Sequence, residues 1–257
     1  MKSRVTAAIL TAALVLTWGT AWAHFGMVIP SDNMVMQGEA AKVQLTLSFS
    51  HPFEGIGMDL EKPAAFYGIV RGEKVDMGKS LTQTKVMDHP AWQSEFTPKR
   101  PGISVFVMEP KPYWEPAEDC FIVHLTKTYV AAYGDDEGWD EPVGLATEIL
   151  PLSKPYGLWT GNLFQGQVLF NGKPVPHAEV EVEYYNQKAG IQAPSDYMVT
   201  QTIKADQNGV FSYVAPFPGW WGFAALNTAD EKITHNGEAK DIEMGAVVWV
   251  KFEKGLE

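Results

Sequence analysis

The segment Lys42–Phe49, KVQLTLSF, is the stretch from which the fold class is read. Its hydrophobic residues Val43, Leu45, Leu47 and Phe49 occupy every second position, and polar residues occupy the positions between them. Because side chains alternate between the two faces of an extended chain, this period of two predicts a β-strand with one buried face. We therefore expect a β-sheet protein whose strands each present a face to a core.

Four further stretches of strand length carry apolar, β-branched or aromatic residues without a helical period. They are Ile103–Met108 (ISVFVM), Cys120–Val130 (CFIVHLTKTYV), Ala178–Tyr185 (AEVEVEYY) and Val247–Phe252 (VVWVKF). The 23 glycines and 17 prolines fit a chain of many short strands joined by tight turns. The sequence predicts an all-β protein with two immunoglobulin-like or transthyretin-like β-sandwiches in tandem.

An acidic, turn-prone stretch, residues 134–142 (GDDEGWDEP), interrupts the strand pattern. It lacks the alternating ligands and the distal Glu of an EF-hand loop, so a solvated connection is favoured over a calcium loop. We predict an N-terminal sandwich over residues 24–133, an acidic linker over 134–150 and a C-terminal sandwich over 151–257. Within the last, Asn171-Gly172 is typical of a hairpin turn.

The composition of the 257-residue chain excludes several classes of protein. Hydrophobic residues make up 46% and charged residues 20%, which favours a chain that buries a core over a disordered one. A net charge of −11 argues against a nucleic-acid partner, because neutralising phosphates requires a basic surface. The single cysteine, Cys120, excludes a disulfide framework and a zinc site built from several thiolates; we expect it to pack as a small buried side chain.

The N-terminus has the pattern of an export signal. Lys2 and Arg4 precede the apolar run VTAAILTAALVLT, and Ala21-Trp22-Ala23 follows, with small residues at both positions that a signal peptidase inspects. An uncleaved membrane anchor is the alternative, but the apolar run is short for a span of about 20 residues. We predict a signal peptide over residues 1–23, a mature protein that begins at His24, and a periplasmic or extracellular location.

An N-terminal histidine has special metal chemistry. The α-amine and the Nδ1 atom of His24 can close a chelate ring on a divalent metal, and one more imidazole would complete a three-nitrogen histidine brace. Nitrogen ligands of this kind suit copper, nickel, cobalt and zinc. The alternative is that His24 is the first residue of a frayed terminus.

The remaining histidines form no close-spaced pair, so a metal site would have to converge through the fold. His51 begins HPFEG at the end of the strand 42–49, a position that often carries function. His124 lies in a strand whose two faces are both largely apolar, which is more typical of a core histidine. Glu54 either ligates, orients a ligand, or is an exposed loop carboxylate. Three others fall in turns and are expected at the surface: His89, His177 and His235.

No catalytic pattern stands out in the chain. There is no GxSxG motif, no glycine-rich phosphate loop and no recognisable Ser/His/Asp arrangement. We therefore expect a binding protein with no catalytic residues, although a copper brace could in principle carry out oxidative chemistry.

Five segments together resemble a known family of exported two-domain proteins found beside energy-coupling-factor nickel and cobalt transporters. They are AHFGMVIPSD, SHPFEGIGMDLEKPAAF, CFIVHLTKTYV, DEGWDEPVGLATEILPLSKPYGLWTGN and FPGWWGFAALNT. The resemblance covers essentially the whole mature chain and implies metal-ligating histidines at His24, His51 and His124. The second half is also similar to transthyretin-like or carboxypeptidase-regulatory sandwiches, which are generally packing and interaction modules.

These observations lead to three expectations of function. The first is a periplasmic Ni²⁺- or Co²⁺-binding protein that supplies the transporter subunits of an energy-coupling-factor importer, with Cu²⁺ or Zn²⁺ as other possible ions. Its expected ligands are His24, His51 and His124, with Glu54 as a further candidate. The second is a histidine-brace copper chaperone or oxidase. The third is a non-metal binding or scaffold protein of two sandwiches, for which the three histidines would lie far apart.

Overall fold

Strands account for nearly all of the regular structure in residues 23–255, the part of the chain that this computed structural model describes. The all-β prediction is confirmed. The one helical segment among these residues is a short 3₁₀ turn, Asp196–Met198, and no helix in them is long and apolar enough to cross a bilayer. The predicted signal peptide, residues 1–23, lies outside the described residues except for Ala23.

The strands follow one another with short connections. In chain order they are β1 Phe25–Pro30, β2 Met34–Val35, β3 Val43–His51, β4 Ile56–Met58, β5 Ala65–Val70, β6 Glu73–Asp76, β7 Thr82–Val86, β8 His89–Phe96, β9 Gly102–Glu109, β10 Tyr113–Glu115, β11 Cys120–Ala132, β12 Thr147–Pro151, β13 Leu158–Trp159, β14 Leu163–Phe170, β15 Lys173–Pro174, β16 Glu179–Tyr184, β17 Gln201–Lys204, β18 Val210–Val214, β19 Gly219–Thr228, β20 Ile233–His235, β21 Glu238–Lys240 and β22 Ile242–Glu253.

Three sheets and one separate hairpin contain these strands. The first sheet has the order β1-β3-β8-β7, with β4 beside β3. The second is long, with the order β17-β16-β19-β22-β11-β9-β5-β6; β2 and β10 pair with β11, and β13 pairs with β22. The third has the order β12-β14-β15, with β18 beside β14, and β20 and β21 form the hairpin.

The long sheet is the middle of three layers, and β22 shows why. Neighbouring side chains of a strand point to opposite faces. On β22, Val248 and Val250 belong to one core cluster with Phe164 of the third sheet. The alternate residue Trp249 belongs to another cluster, with Phe25 of the first sheet. The first and third sheets therefore cover opposite faces of the long sheet.

The two predicted sandwiches share this central sheet instead of standing apart. Strands β11 and β22, one from each half of the chain, pair in parallel from Phe121↔Ile242 to Thr128↔Trp249. The predicted linker, residues 134–150, also differs from the structure at its end, because Thr147–Pro151 forms the buried strand β12 and pairs with β14. Local alternation predicts that a segment is a strand, but its partner is decided by packing between distant parts of the chain.

A buried ion pair holds the acidic connection against the long sheet. Lys127 of β11 is fully buried, and its Nζ donates to Glu148 of β12 at 2.8 Å. Glu148 also accepts hydrogen bonds from the backbone N–H groups of Val143 at 3.1 Å and Gly144 at 2.9 Å. Burial by itself lowers the pKa of Lys127, but Tyr129 and Glu148 outweigh it and the pKa is raised. The ammonium group therefore stays charged inside the protein.

Candidate metal centre

His24 and His51 are brought together by the pairing of β1 with β3. In this antiparallel pair Phe25 lies opposite Ser50, so the residue before β1 lies beside the last residue of β3. The two imidazole centroids are 4.7 Å apart, with an angle of 53° between the rings. Both residues are buried, with 8% of His24 and 6% of His51 exposed. His24, near the first described residue, is therefore packed into the protein.

His124 reaches the same place from the long sheet. It is 1% exposed, and its ring centroid lies 5.8 Å from that of Phe49, which is also 5.8 Å from that of His24. Its Nδ1 atom accepts a hydrogen bond from the backbone N–H of Gly26 at 3.3 Å. The structure therefore brings together His24, His51 and His124, the three histidines that the family resemblance singles out.

Gly245 leaves room for the His124 ring, and Gly26 leaves room for the neighbouring Thr126 hydroxyl and the Cβ of His124. A Cβ atom on Gly245, the residue opposite His124 on β22, would lie 2.7 Å from the Nε2 atom and closer still to Cδ2. A Cβ on Gly26 would lie 3.0 Å from the Cβ of His124. Since these distances are shorter than van der Waals contact, the imidazole occupies space that a larger residue at Gly245 would take.

Gly245→Ala is therefore expected to displace the His124 ring and to lower the free energy of unfolding by about 1–3 kcal/mol, the usual cost of overpacking a core. Urea denaturation measures the stability, and ¹H–¹⁵N spectra of the imidazoles report the ring. Gly190→Ala is the control, because a Cβ there meets nothing within 4 Å. Equal stability of the two variants, with unchanged His124 resonances, would contradict this account.

Three carboxylates that sequence reasoning missed surround the histidines. His24 Nε2 donates to Glu115 Oε2 at 3.1 Å, and Glu118 Oε1 lies 3.9 Å from His24 Nδ1. His124 Nε2 donates to Glu243 Oε1 at 3.4 Å. In the sequence, the acidic stretch WEPAEDC that leads into β11 could have pointed to Glu115 and Glu118. Glu243 reaches the site only because β22 pairs with β11.

Burial keeps the imidazoles of His24 and His51 neutral at pH 7. The pKa of His24 is lowered to about 4, chiefly by desolvation and then by the charges of His51 and His124, against the opposite effect of Glu115. The pKa of His51 is also lowered, chiefly by burial. The contact of His24 with Glu115 is thus a hydrogen bond from a neutral ring. With Nε2 protonated for this bond, Nδ1 of His24 carries the lone pair that a metal would use.

The peptide bond predicted to be cleaved lies within the histidine cluster. His51 Nδ1 donates to the backbone carbonyl oxygen of Ala23 at 2.9 Å. This carbonyl belongs to the bond between Ala23 and His24, so the nitrogen that cleavage would turn into an α-amine lies beside the His51 ring. The two donors expected at a processed N-terminus are therefore already next to a second imidazole.

Glu54, the fourth candidate ligand, points away from the histidines. It is exposed in the turn after His51, and its electrostatic neighbours are Asp196 and Glu183. Burial, followed by the charge of Asp196, raises its pKa. Its assignment as a ligand is therefore corrected: the turn carries its side chain outward, and Glu115 is the carboxylate that contacts His24.

The other histidines and the cysteine lie outside this cluster. His177 is exposed, and His89, 43% exposed, bonds Asp59 at 2.7 Å. His235 is half-buried and stacks on Trp114 with 3.9 Å between ring centroids, which differs from the surface position expected for it. Cys120 is half-buried, and burial is the main cause that raises the pKa of its thiol to about 11.

Side chains alone do not complete a metal site. In residues 23–255 no group of three or more His, Cys, Asp or Glu side chains is placed to hold a metal ion as it stands. The α-amine of a processed His24 is a further donor that the uncleaved chain lacks, since its nitrogen is then an amide. The cluster offers nitrogen and oxygen donors, the kind that divalent transition metals accept.

Comparison with solved structures finds distant β proteins. The match to the adhesin InvE of Yersinia pseudotuberculosis covers 86% of this chain and 58% of the adhesin chain, with 10% identity and a TM-score of 0.26. The fibronectin(III)-like modules of Clostridium thermocellum CbhA match 89% of this chain and 95% of theirs, with 8% identity and a TM-score of 0.22. The match to the titin tandem immunoglobulin domains A164-A165 covers 90% of this chain and 97% of theirs, with 9% identity and a TM-score of 0.22.

Sequence comparison places the chain in one family. No curated protein matches it. The family model described as a domain of unknown function, DUF4198, matches residues 21–229, which include the histidines of the cluster and most strands of all three layers. Because this match covers well over half of the sequence, the chain belongs to the DUF4198 family.

Proposed function

We propose that this protein is an extracytoplasmic binding protein for a divalent transition metal, Ni²⁺ or Co²⁺. Its ligands are the α-amine and Nδ1 of His24 together with the rings of His51 and His124. One observation carries the proposal: three buried imidazoles meet at the peptide bond predicted to be cut on export. Cleavage at that bond would create the missing donor at the centre of the cluster.

The protonation of the cluster supports metal binding. The lowered pKa values of His24 and His51 mean that the two rings are neutral near pH 7, so a metal does not compete there with their protons. The α-amine, with an ordinary pKa near 8, loses its proton to the metal at modest cost.

The neighbouring carboxylates orient the rings. Glu115 accepts from Nε2 of His24, which leaves Nδ1 as the unprotonated nitrogen of that ring. Glu243 accepts from Nε2 of His124, and that nitrogen becomes a ligand when a metal takes the place of its proton. At His24, a carboxylate that binds the second nitrogen of a ligating histidine fixes its tautomer and raises its basicity. The charge of both carboxylates also favours a cation in the cluster.

The family resemblance supports a role in metal uptake. The sequence resembles a family of exported proteins found beside energy-coupling-factor nickel and cobalt transporters, so we propose that subunits of such an importer receive the ion. The protein is then a binding partner of the transporter in the periplasm and not an enzyme.

A copper protein is the second candidate, favoured by the terminal histidine itself. Nitrogen sites bind Cu²⁺ more tightly than Ni²⁺ or Co²⁺ under the usual order of divalent ions, so relative affinity alone does not identify the physiological metal. Turnover of a reductant with peroxide by the copper-loaded protein would favour an oxidase, whereas inert copper would favour binding and delivery.

Calorimetric titration of the processed protein, beginning at His24, is expected to show tight 1:1 binding of Ni²⁺ and Co²⁺. His51→Ala and His124→Ala should each weaken binding by at least about tenfold, the effect of losing one ligand or its support. His177→Ala is the matched control, because this histidine is exposed in a turn of the other half. Unchanged affinity in both cluster variants would refute the proposal.

A further inference from the structure

A cavity of about 640 Å³ opens between the first sheet and the long sheet, at the end of β1 farthest from His24. Its volume is in the range of pockets that hold small organic molecules. A second cavity of about 620 Å³ shares the wall residues Ile29, Thr46 and Tyr185 with the first. The two cavities therefore adjoin and form one groove, which has room for a ligand longer than a single ring.

Three side chains in a row form the floor of the first cavity. Trp220 of β19 pairs with Lys251 of β22, and the backbone N–H of Tyr185 donates to the carbonyl oxygen of Trp220 at 2.8 Å. Because paired residues of neighbouring strands point to the same face of a sheet, these three side chains lie side by side. Both aromatic residues are half-buried, so the groove contains ring surface that the protein core does not cover.

The first sheet supplies a wall of uncharged polar groups. Ser31, Gln44 and Thr46 all line the cavity. Ser31 Oγ accepts a hydrogen bond from the backbone N–H of Gln44 at 2.9 Å, which leaves the hydroxyl hydrogen to donate. Gln44 Nε2 donates to Gln93 at 2.8 Å, which leaves its second hydrogen and its side-chain oxygen. The wall therefore offers both donors and acceptors without a charge.

The opposite wall is a loop that a buried asparagine holds in place. Residues 185–200 join β16 to β17 without a strand, and a loop of this length in a compact domain is often a binding loop. Asn186, 7% exposed, donates to the carbonyl oxygens of Phe53 at 3.2 Å and Ile191 at 2.8 Å and accepts from the N–H of Ile191 at 3.1 Å. The wall formed by Gln187 and Lys188 is thereby ordered before a ligand binds, which lowers the entropic cost of binding.

The groups in the groove fit a neutral saccharide better than a charged or a purely apolar molecule. The ammonium of Lys251 is already paired with Glu253 at 2.7 Å, and Lys188 is exposed to water. An apolar molecule would cover Ser31, Gln44 and Thr46 and leave their polar groups without partners, which is costly. Sugar rings avoid both problems, because their CH faces pack on aromatic rings while their hydroxyl groups donate and accept hydrogen bonds.

We propose that this groove binds a neutral oligosaccharide. Tyr185 and Trp220 form the platform on which a sugar ring stacks, and Ser31, Gln44 and Thr46 are the hydrogen-bond partners of its hydroxyl groups. The site is separate from the proposed metal centre, because it uses none of the clustered histidines and requires no ion. It gives the protein a second function beyond metal binding.

The test is a titration of the processed protein, in the presence of EDTA, with maltohexaose, cellohexaose and chitohexaose, which differ in linkage and in N-acetyl groups. Calorimetry is expected to show binding of at least one of them. Trp220→Ala should weaken that binding by about tenfold through loss of the stacking platform, and Trp220→Phe, which keeps a ring, should retain most of it. Trp159→Ala is the control: this tryptophan is 55% exposed on β13, outside the groove.

A second readout and a second variant keep the test independent of folding. The indole N–H resonance that is missing from Trp220→Ala should shift when sugar is added to the unmodified protein. If circular dichroism shows that Trp220→Ala is unfolded, the exposed residue Gln44 is changed instead: Gln44→Ala should weaken binding by about fivefold, the effect of one lost hydrogen bond. Gln83→Ala, exposed on β7, is its control and should have no effect.

Three results would contradict the inference. The first is the absence of binding for all three sugars at about 1 mM. The second is binding that Trp220→Ala, when folded, or Gln44→Ala leaves unchanged. The third is tighter binding of the acidic hexamer of galacturonate than of any neutral sugar, which would mean that the lysines and not the rings select the ligand.

Discussion

One extra residue ahead of His24 is expected to lower the affinity of the processed protein for Ni²⁺ by about 100-fold. The extension turns the α-amine into an amide nitrogen, which does not bind a metal at neutral pH without losing its proton. The chelate ring of His24 is then lost. Joining two donors in one ligand typically raises affinity by about 10²–10⁴-fold, and the expected loss corresponds to the lower end of that range. Calorimetry with a competing chelator measures the difference.

Two controls separate the amine from other effects of the extension. The same residue added after Glu257 leaves the amine intact and should leave the affinity unchanged. His24→Ala keeps the amine but removes the ring, and should also weaken binding. If the N-terminally extended protein binds Ni²⁺ as tightly as the processed one, the α-amine is not a ligand, and a site of side chains alone would have to replace the brace.

Removal of either partner of the buried Lys127–Glu148 pair is expected to lower the free energy of unfolding by about 3–5 kcal/mol, because it leaves an uncompensated charge inside the protein. Lys127→Met leaves the buried carboxylate of Glu148 without its cationic partner, although it still accepts hydrogen bonds from the backbone N–H groups of Val143 and Gly144. Glu148→Gln leaves the buried ammonium of Lys127 without its anionic partner. Urea denaturation of both variants measures the loss.

The double variant, Lys127→Met with Glu148→Gln, should lose much less than the sum of the two single losses, because neither charge is then left alone. The exposed pair of Lys204 and Glu179, 3.8 Å apart, is the control, and Lys204→Met should change stability by less than about 1 kcal/mol. Additive losses in the double variant would mean that the two buried groups do not depend on each other.

Local sequence patterns predicted the strands well because burial on one face leaves a period of two. Each of the quoted stretches, including Lys42–Phe49 and Cys120–Val130, overlaps a strand of the structure. The same patterns did not reveal that β11 and β22 pair in parallel or that Thr147–Pro151 forms a strand. Pairing depends on how distant surfaces pack, and that information is not present in either strand alone.

For the candidate site, too, the sequence predicted some residues and only the structure revealed the others. Sequence reasoning identified His24 from the cleavage pattern and His51 from its place at the end of a strand. The residues around His124 indicated a core histidine, and it became a candidate ligand only through the family resemblance. For Glu54, spacing left open a ligand, a residue that orients a ligand and an exposed loop carboxylate; the structure places it exposed in a turn, and Glu115 is the carboxylate beside His24.

By itself, the sequence determined the chemical character of this protein. Its alternation specified strands, its single cysteine excluded a metal site built from several thiolates, and its leader pattern predicted His24 as a new N-terminus. Only the tertiary structure decided which groups meet. The β1–β3 pair places His24 beside His51, and the β11–β22 pair places Glu243 beside His124, with Gly245 leaving room for the ring. The reason is physical: residue types set the available donors, whereas strand pairing sets the distances between them.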